Sequence, residues 1–213
     1  MINLILLVAS IVLIIFVAVA SKRHGRNQDA INARFLEAER EANSARRREI
    51  EPEHFFEPDF SALPEMGDAD PHSVLRAAKR KMLRFAEPLS NLELKKKYGP
   101  ANLESITAYE ENFSDFLKSL GEWAKALRES GNQNGAMQVL AYAIGLGSEL
   151  RGTYRLAADI FWERRDARSL GQLLAAARDN YFSDSAVQEH ILDYIGAKLD
   201  EIGEAGTGRG DGL

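Results

Sequence analysis

The stretch that decides the fold runs from Leu120 to Phe161 and reads LGEWAKALRESGNQNGAMQVLAYAIGLGSELRGTYRLAADIF. Its apolar residues recur at helical spacing, with the turn-forming run ESGNQNG between two such segments. The second half of the chain keeps its apolar register when it is aligned with itself at an offset of 34 residues. The paired positions are Leu120, Trp123, Ala124, Leu127, Ala136, Leu140 and Ala143 against Tyr154, Ala157, Ala158, Phe161, Leu170, Leu174 and Ala177. Each unit is therefore predicted to be a helical hairpin that buries its apolar face against a neighbouring unit.

This pattern resembles the tetratricopeptide repeat, over Leu117 to about Asp184. The first unit follows that family's spacing of large and small residues, including Gly131 at the turn and Ala136 where two helices approach. The second unit departs from it, since Arg165 replaces the turn glycine and Leu170 replaces the small residue. The resemblance implies an all-α, helical-hairpin solenoid whose groove binds a peptide or protein partner. An ordinary antiparallel helical bundle is the alternative.

Flanking helices are needed, because two repeats are fewer than such a stack usually requires. Upstream, Asn102 is predicted to cap a helix that carries apolar residues from Leu103 to Phe113. Downstream, a helix beginning near Ser185 has one apolar face and is typical of a terminal cap. The helical domain is thus predicted to span residues 71–203, and the glycine-rich tail 204–213 is predicted to be disordered.

The N-terminal segment is predicted to be a single transmembrane helix. From Ile2 to Ala20 only Asn3 and Ser10 are polar, and a helix of that length reaches roughly 28 Å, about the hydrocarbon thickness of a bilayer. A cleaved signal peptide is the alternative, but the positive charges follow the apolar run instead of preceding it. Residues 1–21 are therefore expected to anchor the protein as a single-pass membrane protein, with the C-terminal domain cytoplasmic.

Residues 22–50 form a charged juxtamembrane segment, and after Gly25 it contains neither glycine nor proline. A helix is predicted there, with a narrow apolar stripe of coiled-coil spacing at Ile31, Phe35, Ala38, Ala42 and Ala45. Because the stripe is mostly alanine, we interpret the helix as a charged spacer. Weak self-association into a homo-oligomer is the alternative.

Residues 51–70 read as an acidic linker, with three prolines, seven acidic residues and no Lys or Arg. Its phenylalanines, Phe55, Phe56 and Phe60, favour packing against the protein's own domain, with docking to another protein as the alternative. A basic helix is predicted next, starting at Asp70 and Pro71 and extending to Leu89. Its basic face is suited to anionic lipid, to an acidic partner or to the acidic linker, and an ordinary solvated face is equally consistent with it.

No catalytic, metal or cofactor motif is present in the sequence. There is no cysteine, the four histidines are scattered, and no phosphate-binding loop or nucleophile elbow occurs. The net charge of -5 argues against general affinity for nucleic acid. An enzyme is therefore not expected.

The function predicted from these features is that of a membrane-anchored adaptor or scaffold for protein binding. A self-associating structural protein is the first alternative, and a membrane-tethered enzyme is less favoured. The candidate partner-binding residues lie on the first helix of each hairpin, outside its apolar register: Lys118, Glu122, Lys125, Arg155, Asp159 and Trp162. Trp162 is interpreted as an exposed aromatic anchor, with burial against the following helix as the alternative.

Overall fold

A computed structural model describes residues 31–65 and 71–207, with side chains to residue 203. The described part is predominantly helical, and its only strands are two residues long, so the predicted all-α class is confirmed. In chain order the elements are α1 (residues 31–43 of a helix), β1 (Phe55–Phe56), α2 (His72–Ala78), β2 (Met82–Leu83), α3 (Asn91–Tyr98), α4 (Pro100–Glu129), α5 (Gln133–Gly145), α6 (Arg151–Glu163), α7 (Ala167–Asp179) and α8 (Ser185–Thr207). Two single-turn 3-10 helices, Pro52–His54 and Phe60–Ala62, lie in the segment after α1.

The chain divides into two compact units, and the division differs from the predicted domain boundaries. Of the described residues, 31–51 and 85–106 form the first unit, and 52–65, 71–84 and 107–207 form the second. Residues 31–51 of the charged segment are thus part of a folded unit, whereas residues 52–65 of the acidic segment belong to the unit that contains the repeats.

The first unit is held by polar contacts between α1, the segment after it and α3. Lys95 forms an ion pair with Glu39 at 2.8 Å. Asn102, which the sequence analysis took for a helix cap, instead lies inside α4 and is buried; its amide nitrogen donates to the carbonyls of Arg48 (2.5 Å) and Tyr98 (2.9 Å). Pro100 starts the helix in its place, since a proline loses no hydrogen bond in a first turn.

Gly99 is required in this unit by both conformation and space. Its φ is +83°, and a Cβ there would lie 2.8 Å from the carbonyl oxygen of Arg46. No L side chain fits such a position without moving the chain that crosses it.

The second unit begins with a short hairpin-like contact where a long basic helix was predicted. The helix α2 ends at Ala78, and Met82 pairs in an antiparallel bridge with Phe56. Met82 and Leu83 are both buried, and Pro88 would have broken a helix continuing to Leu89, because it clashes with the preceding turn. The prediction of one helix to Leu89 is therefore wrong. Pro88 already excluded that end in the sequence, but α2 stops well before it, at Ala78.

The phenylalanines of the acidic segment pack within the second unit. The Phe56 ring lies 5.0 Å from that of Phe113 and 5.8 Å from that of Phe116, centroid to centroid. Phe55 is covered by Lys81, whose Nζ lies 4.1 Å above the ring. The segment that reads as a linker is therefore structured up to Leu63, which is itself buried.

Helices α4 to α8 repeat one geometry with the 34-residue period of the sequence. At the first turn, Asn132 N donates to Leu127 O (2.8 Å), and at the second, Asp166 N donates to Phe161 O (2.9 Å). The side chains of these two residues then cap the next helices, α5 and α7, in the same way. Gly131 has φ +89°, and its equivalent Arg165 has φ +55°, so the turn keeps its left-handed residue although the glycine is absent.

The first helices of successive units run in the same direction. Gly121 lies beside Thr153, and Arg128 forms an ion pair with Glu163, so α4 and α6 are in parallel register. One unit further, Asp159 of α6 is bonded to Tyr194 of α8. The buried apolar core lies among these helices, and its largest members are Trp123, Tyr154, Phe116, Leu120, Leu127, Leu140, Ile160 and Leu170.

The predicted span Ile2 to Ala20 lies outside the described residues. Within the part of the chain that is described, no helix has both the length and the apolar character needed to cross a bilayer. At the other end, α8 extends to Thr207, four residues into the segment predicted to be disordered.

Candidate functional site

A groove between α4 and α6 brings together three of the six predicted partner-binding residues. Lys118, Glu122 and Lys125 line it from α4, and Arg151 lines it from the start of α6. Its volume is about 720 Å³, which lies within the range of sites that hold a small ligand or an inserted side chain. The groove arises because parallel first helices of adjacent units face each other above the core.

Two glycines, one on each helix, line the groove and leave space beside their backbones. A Cβ at Gly152 would meet no heavy atom within 4 Å, and one at Gly121 would meet only Thr153 Oγ1 at 3.9 Å. Leu150 and Leu156 supply partly buried apolar surface beside them. An apolar side chain of a partner could therefore enter between charged residues without displacing the core.

The charged residues of the groove are only partly neutralised within the chain. Lys125 lies 3.8 Å from Glu129, a weak pair because both side chains are exposed. Arg128 is held by Glu163. Over residues 31–65 and 71–203, by contrast, Arg151 and Glu122 have no ion-pair partner.

A second cleft of about 490 Å³ continues the groove toward α2, and Lys118 and Glu122 line both. Arg76 and Arg80 contribute to it from α2 and the turn after it. Asp115 is bonded to Lys118 (3.2 Å) and Arg80 (3.1 Å). Those two cations hold the pKa of Asp115 below its ordinary value, so this carboxylate is ionised at neutral pH.

The other three predicted residues, Arg155, Asp159 and Trp162, lie against α8 and not in the groove. The guanidinium of Arg155 stacks over the Tyr194 ring at 4.5 Å, and Lys198 Nζ lies 4.4 Å above the Trp162 ring. The expectation that the six residues share one partner-binding surface is corrected by this arrangement. The reason is the order of stacking: α8 packs on the side of α6 that carries these residues, just as α6 faces the equivalent side of α4.

Trp162 is partly buried, and its indole nitrogen is enclosed without a hydrogen-bond partner in the described chain. It packs under Lys198 as an inter-helix contact, which corrects its interpretation as an exposed anchor. Asp159 accepts a hydrogen bond from Tyr194 Oη (2.6 Å) and forms an ion pair with Lys198 (2.9 Å). Burial raises the pKa of Asp159, but these two partners outweigh it and leave the pKa below its ordinary value.

Several residues of the groove were missed by sequence reasoning. Gly121, Gly152, Leu150, Leu156 and Arg151 were not singled out, and Arg76 was placed on a basic helix suited to anionic lipid, an acidic partner, the acidic linker or solvent, but not in this groove. The two glycines carried a usable signal, because each lies in a helical segment where alanine would be favoured. Their positions, Gly121 and Gly152, differ by 31 residues and not 34, so the repeat register did not pair them.

The described residues offer no cluster of three His, Asp or Glu side chains that could hold a metal ion. The groove presents lysines, arginines and glutamates beside the apolar side chains of Leu150 and Leu156, which suits binding of a partner through apolar contacts and ion pairs. Comparison of the chain with models of protein families, with curated proteins and with solved structures found no match.

Proposed function

We propose that the protein is a membrane-anchored adaptor that binds a peptide or protein partner in the groove between α4 and α6. The observation that carries the proposal is the open groove lined by Gly121 and Gly152, because it combines partly uncovered apolar surface at Leu150 and Leu156 with cations and acids around it. Its position between parallel helices of a hairpin stack agrees with the resemblance to tetratricopeptide repeats, whose grooves bind peptides.

The anchor is the second part of the proposal and rests on the sequence. The apolar run Ile2 to Ala20, followed at once by Lys22 and Arg23, favours an uncleaved span with the helical units on the cytoplasmic side. Reporter fusions at the C-terminus test this orientation. Activity of the reporter only in an extracytoplasmic compartment would reverse it.

The groove is tested by filling it. Gly152→Leu places a side chain in the groove, and Gly145→Leu is the matched control, since a Cβ at either glycine meets nothing within 4 Å. Proteins crosslinked to the full-length chain in its own membranes are compared for wild type and both variants. We expect Gly152→Leu to lose specific partners that Gly145→Leu retains. Identical partner sets for all three chains would reject the groove as the binding site.

A structural, self-associating role is the second candidate, and one observation favours it. Ile31 and Phe35 remain about three-fifths exposed, at 62% and 58%, whereas Ala42 of the same predicted stripe is fully buried. The stripe is therefore divided, and only its N-terminal part is open to a second copy. If this role is correct, replacing both Ile31 and Phe35 with serine abolishes assembly in crosslinking or sedimentation. Unchanged assembly of this variant would reject the role.

A further inference from the structure

The groove and the cleft beside α2 form one docking surface with an excess of positive charge. Together they are lined by six cationic side chains and three acidic ones: Arg76, Arg80, Lys118, Lys125, Arg128 and Arg151 against Asp115, Glu122 and Glu129. The whole chain carries a net charge of -5. The sign of this surface is thus opposite to that of the protein, and such local fields select and steer partners of complementary charge.

Two cations of this surface have no ion-pair partner among the described residues, one in each cavity. Arg76 lies in the cleft beside α2 and Arg151 lies in the groove, and neither forms an ion pair in the described chain. Both side chains are exposed. Each is therefore available to a carboxylate without first breaking an existing pair.

The part of the surface that the two cavities share disfavours an acidic side chain. Glu122 lines both cavities and is unpaired among the described residues, so it repels a carboxylate placed beside it. Gly121, Gly152 and Leu156 line the adjoining groove, and there is space beside both glycines. An uncharged, apolar side chain is the group that fits there.

We propose, resting on the function proposed above, that the partner is an acidic segment in which a bulky apolar residue stands between two acidic clusters. One cluster pairs with Arg76 and Arg80, the apolar side chain enters the groove over Gly152, and the other cluster pairs with Arg151. This assignment makes α2, which lies outside the repeats, a part of the partner-binding surface. It also assigns to Arg76 and Arg80 an acidic partner, which is one of the uses that the sequence left open for this basic stretch.

The test uses the full-length chain in nanodiscs of zwitterionic lipid and three short fluorescein-labelled peptides. The first has aspartates on both sides of a central leucine, the second has serine in place of leucine, and the third has lysines in place of the aspartates. Binding is followed by fluorescence polarisation. We expect the acidic leucine peptide to bind about tenfold or more tightly than either of the others, and its affinity to fall as salt is raised.

Two charge variants of equal net change provide the control. Arg76→Glu with Arg151→Glu is expected to weaken binding of the acidic leucine peptide by about tenfold or more. Arg168→Glu with Arg178→Glu, on exposed positions of α7, is expected to change it by less than about twofold. Glu122→Gln should strengthen binding of the same peptide, by about two- to fivefold, because it removes the repulsive charge.

The outcomes separate this inference from the proposed function. Equal loss from both double variants, or weaker binding of the acidic peptide to Glu122→Gln, would overturn the acidic assignment. If the lysine peptide binds instead and Gly152→Leu removes that binding, the partner chemistry is wrong while the groove remains the site. If Gly152→Leu leaves every measured affinity unchanged, the groove itself is wrong.

Discussion

The left-handed turn between the hairpin helices gives the sharpest test of the repeat. Gly131 and Arg165 are equivalent in the 34-residue register, and their flanking backbone hydrogen bonds match one for one. Both have positive φ, +89° and +55°. An L side chain in this region costs about 1–2 kcal/mol, so substitutions at the two positions should have opposite signs.

For Gly131→Ala the backbone decides the result, because a Cβ there meets nothing within 4 Å. The strain of about 1–2 kcal/mol is partly offset by about 0.4–1 kcal/mol, since alanine also restricts the unfolded chain. We expect a net loss near 1 kcal/mol. For Arg165→Gly the same quantities reverse, and loss of the contact of Arg165 with Trp162, worth about 0.5–1 kcal/mol at an exposed site, leaves a gain of at most about 0.5 kcal/mol.

The measurement is urea denaturation of the full-length chain in detergent, followed by helical circular dichroism. Gly171→Ala is the control, because Gly171 lies in the interior of α7 with open space at its Cβ, and it should gain about 0.5–1 kcal/mol. Stabilisation by Gly131→Ala, or destabilisation by Arg165→Gly as large as that caused by Gly131→Ala, would show that the two turns are not equivalent.

Three further predictions concern contacts within each of the two units. Trp162→Ala should destabilise the docking of α8 by about 2–3 kcal/mol, since it removes a partly buried ring that packs under Lys198, and faster amide hydrogen exchange in α8 would report this. Asp159→Asn should make stability depend less on pH on the acid side. Because the pKa of Asp159 is lowered in the folded state, the stability that its carboxylate contributes is present above the ordinary value of 3.8 and is lost as pH falls through the folded-state value. If the melting temperature of the variant falls from about pH 5 to about pH 3 with the same slope as that of wild type, this prediction is contradicted. Asn102→Ala should cost the first unit about 1–3 kcal/mol, because it leaves the carbonyl of Arg48 without its amide donor, whereas the carbonyl of Tyr98 still accepts from the backbone N–H of Arg48. Increased protease sensitivity confined to residues 31–51 and 85–106 is the expected readout.

The helical class and the register of the hairpins were set by local sequence alone. Apolar residues at helical spacing determine which face each helix buries, and Asn132 and Asp166 start α5 and α7 with their own side chains. Such signals act within a few residues and can be read without the rest of the chain. The turn at Arg165 is an example, because its hydrogen bonds keep a left-handed backbone conformation at a position where glycine is normally found.

The composition of the candidate site was decided by tertiary structure. Lys118 and Asp159 each lie on the first helix of a hairpin, yet only Lys118 reaches the groove, because α8 covers the side of α6 that carries Asp159. Arg76 joins the same surface because the fold places α2 beside α4, where residues of both helices line one cleft. These contacts depend on residues distant in sequence, and side-chain periodicity reports only which face is apolar and not which neighbouring helix covers it.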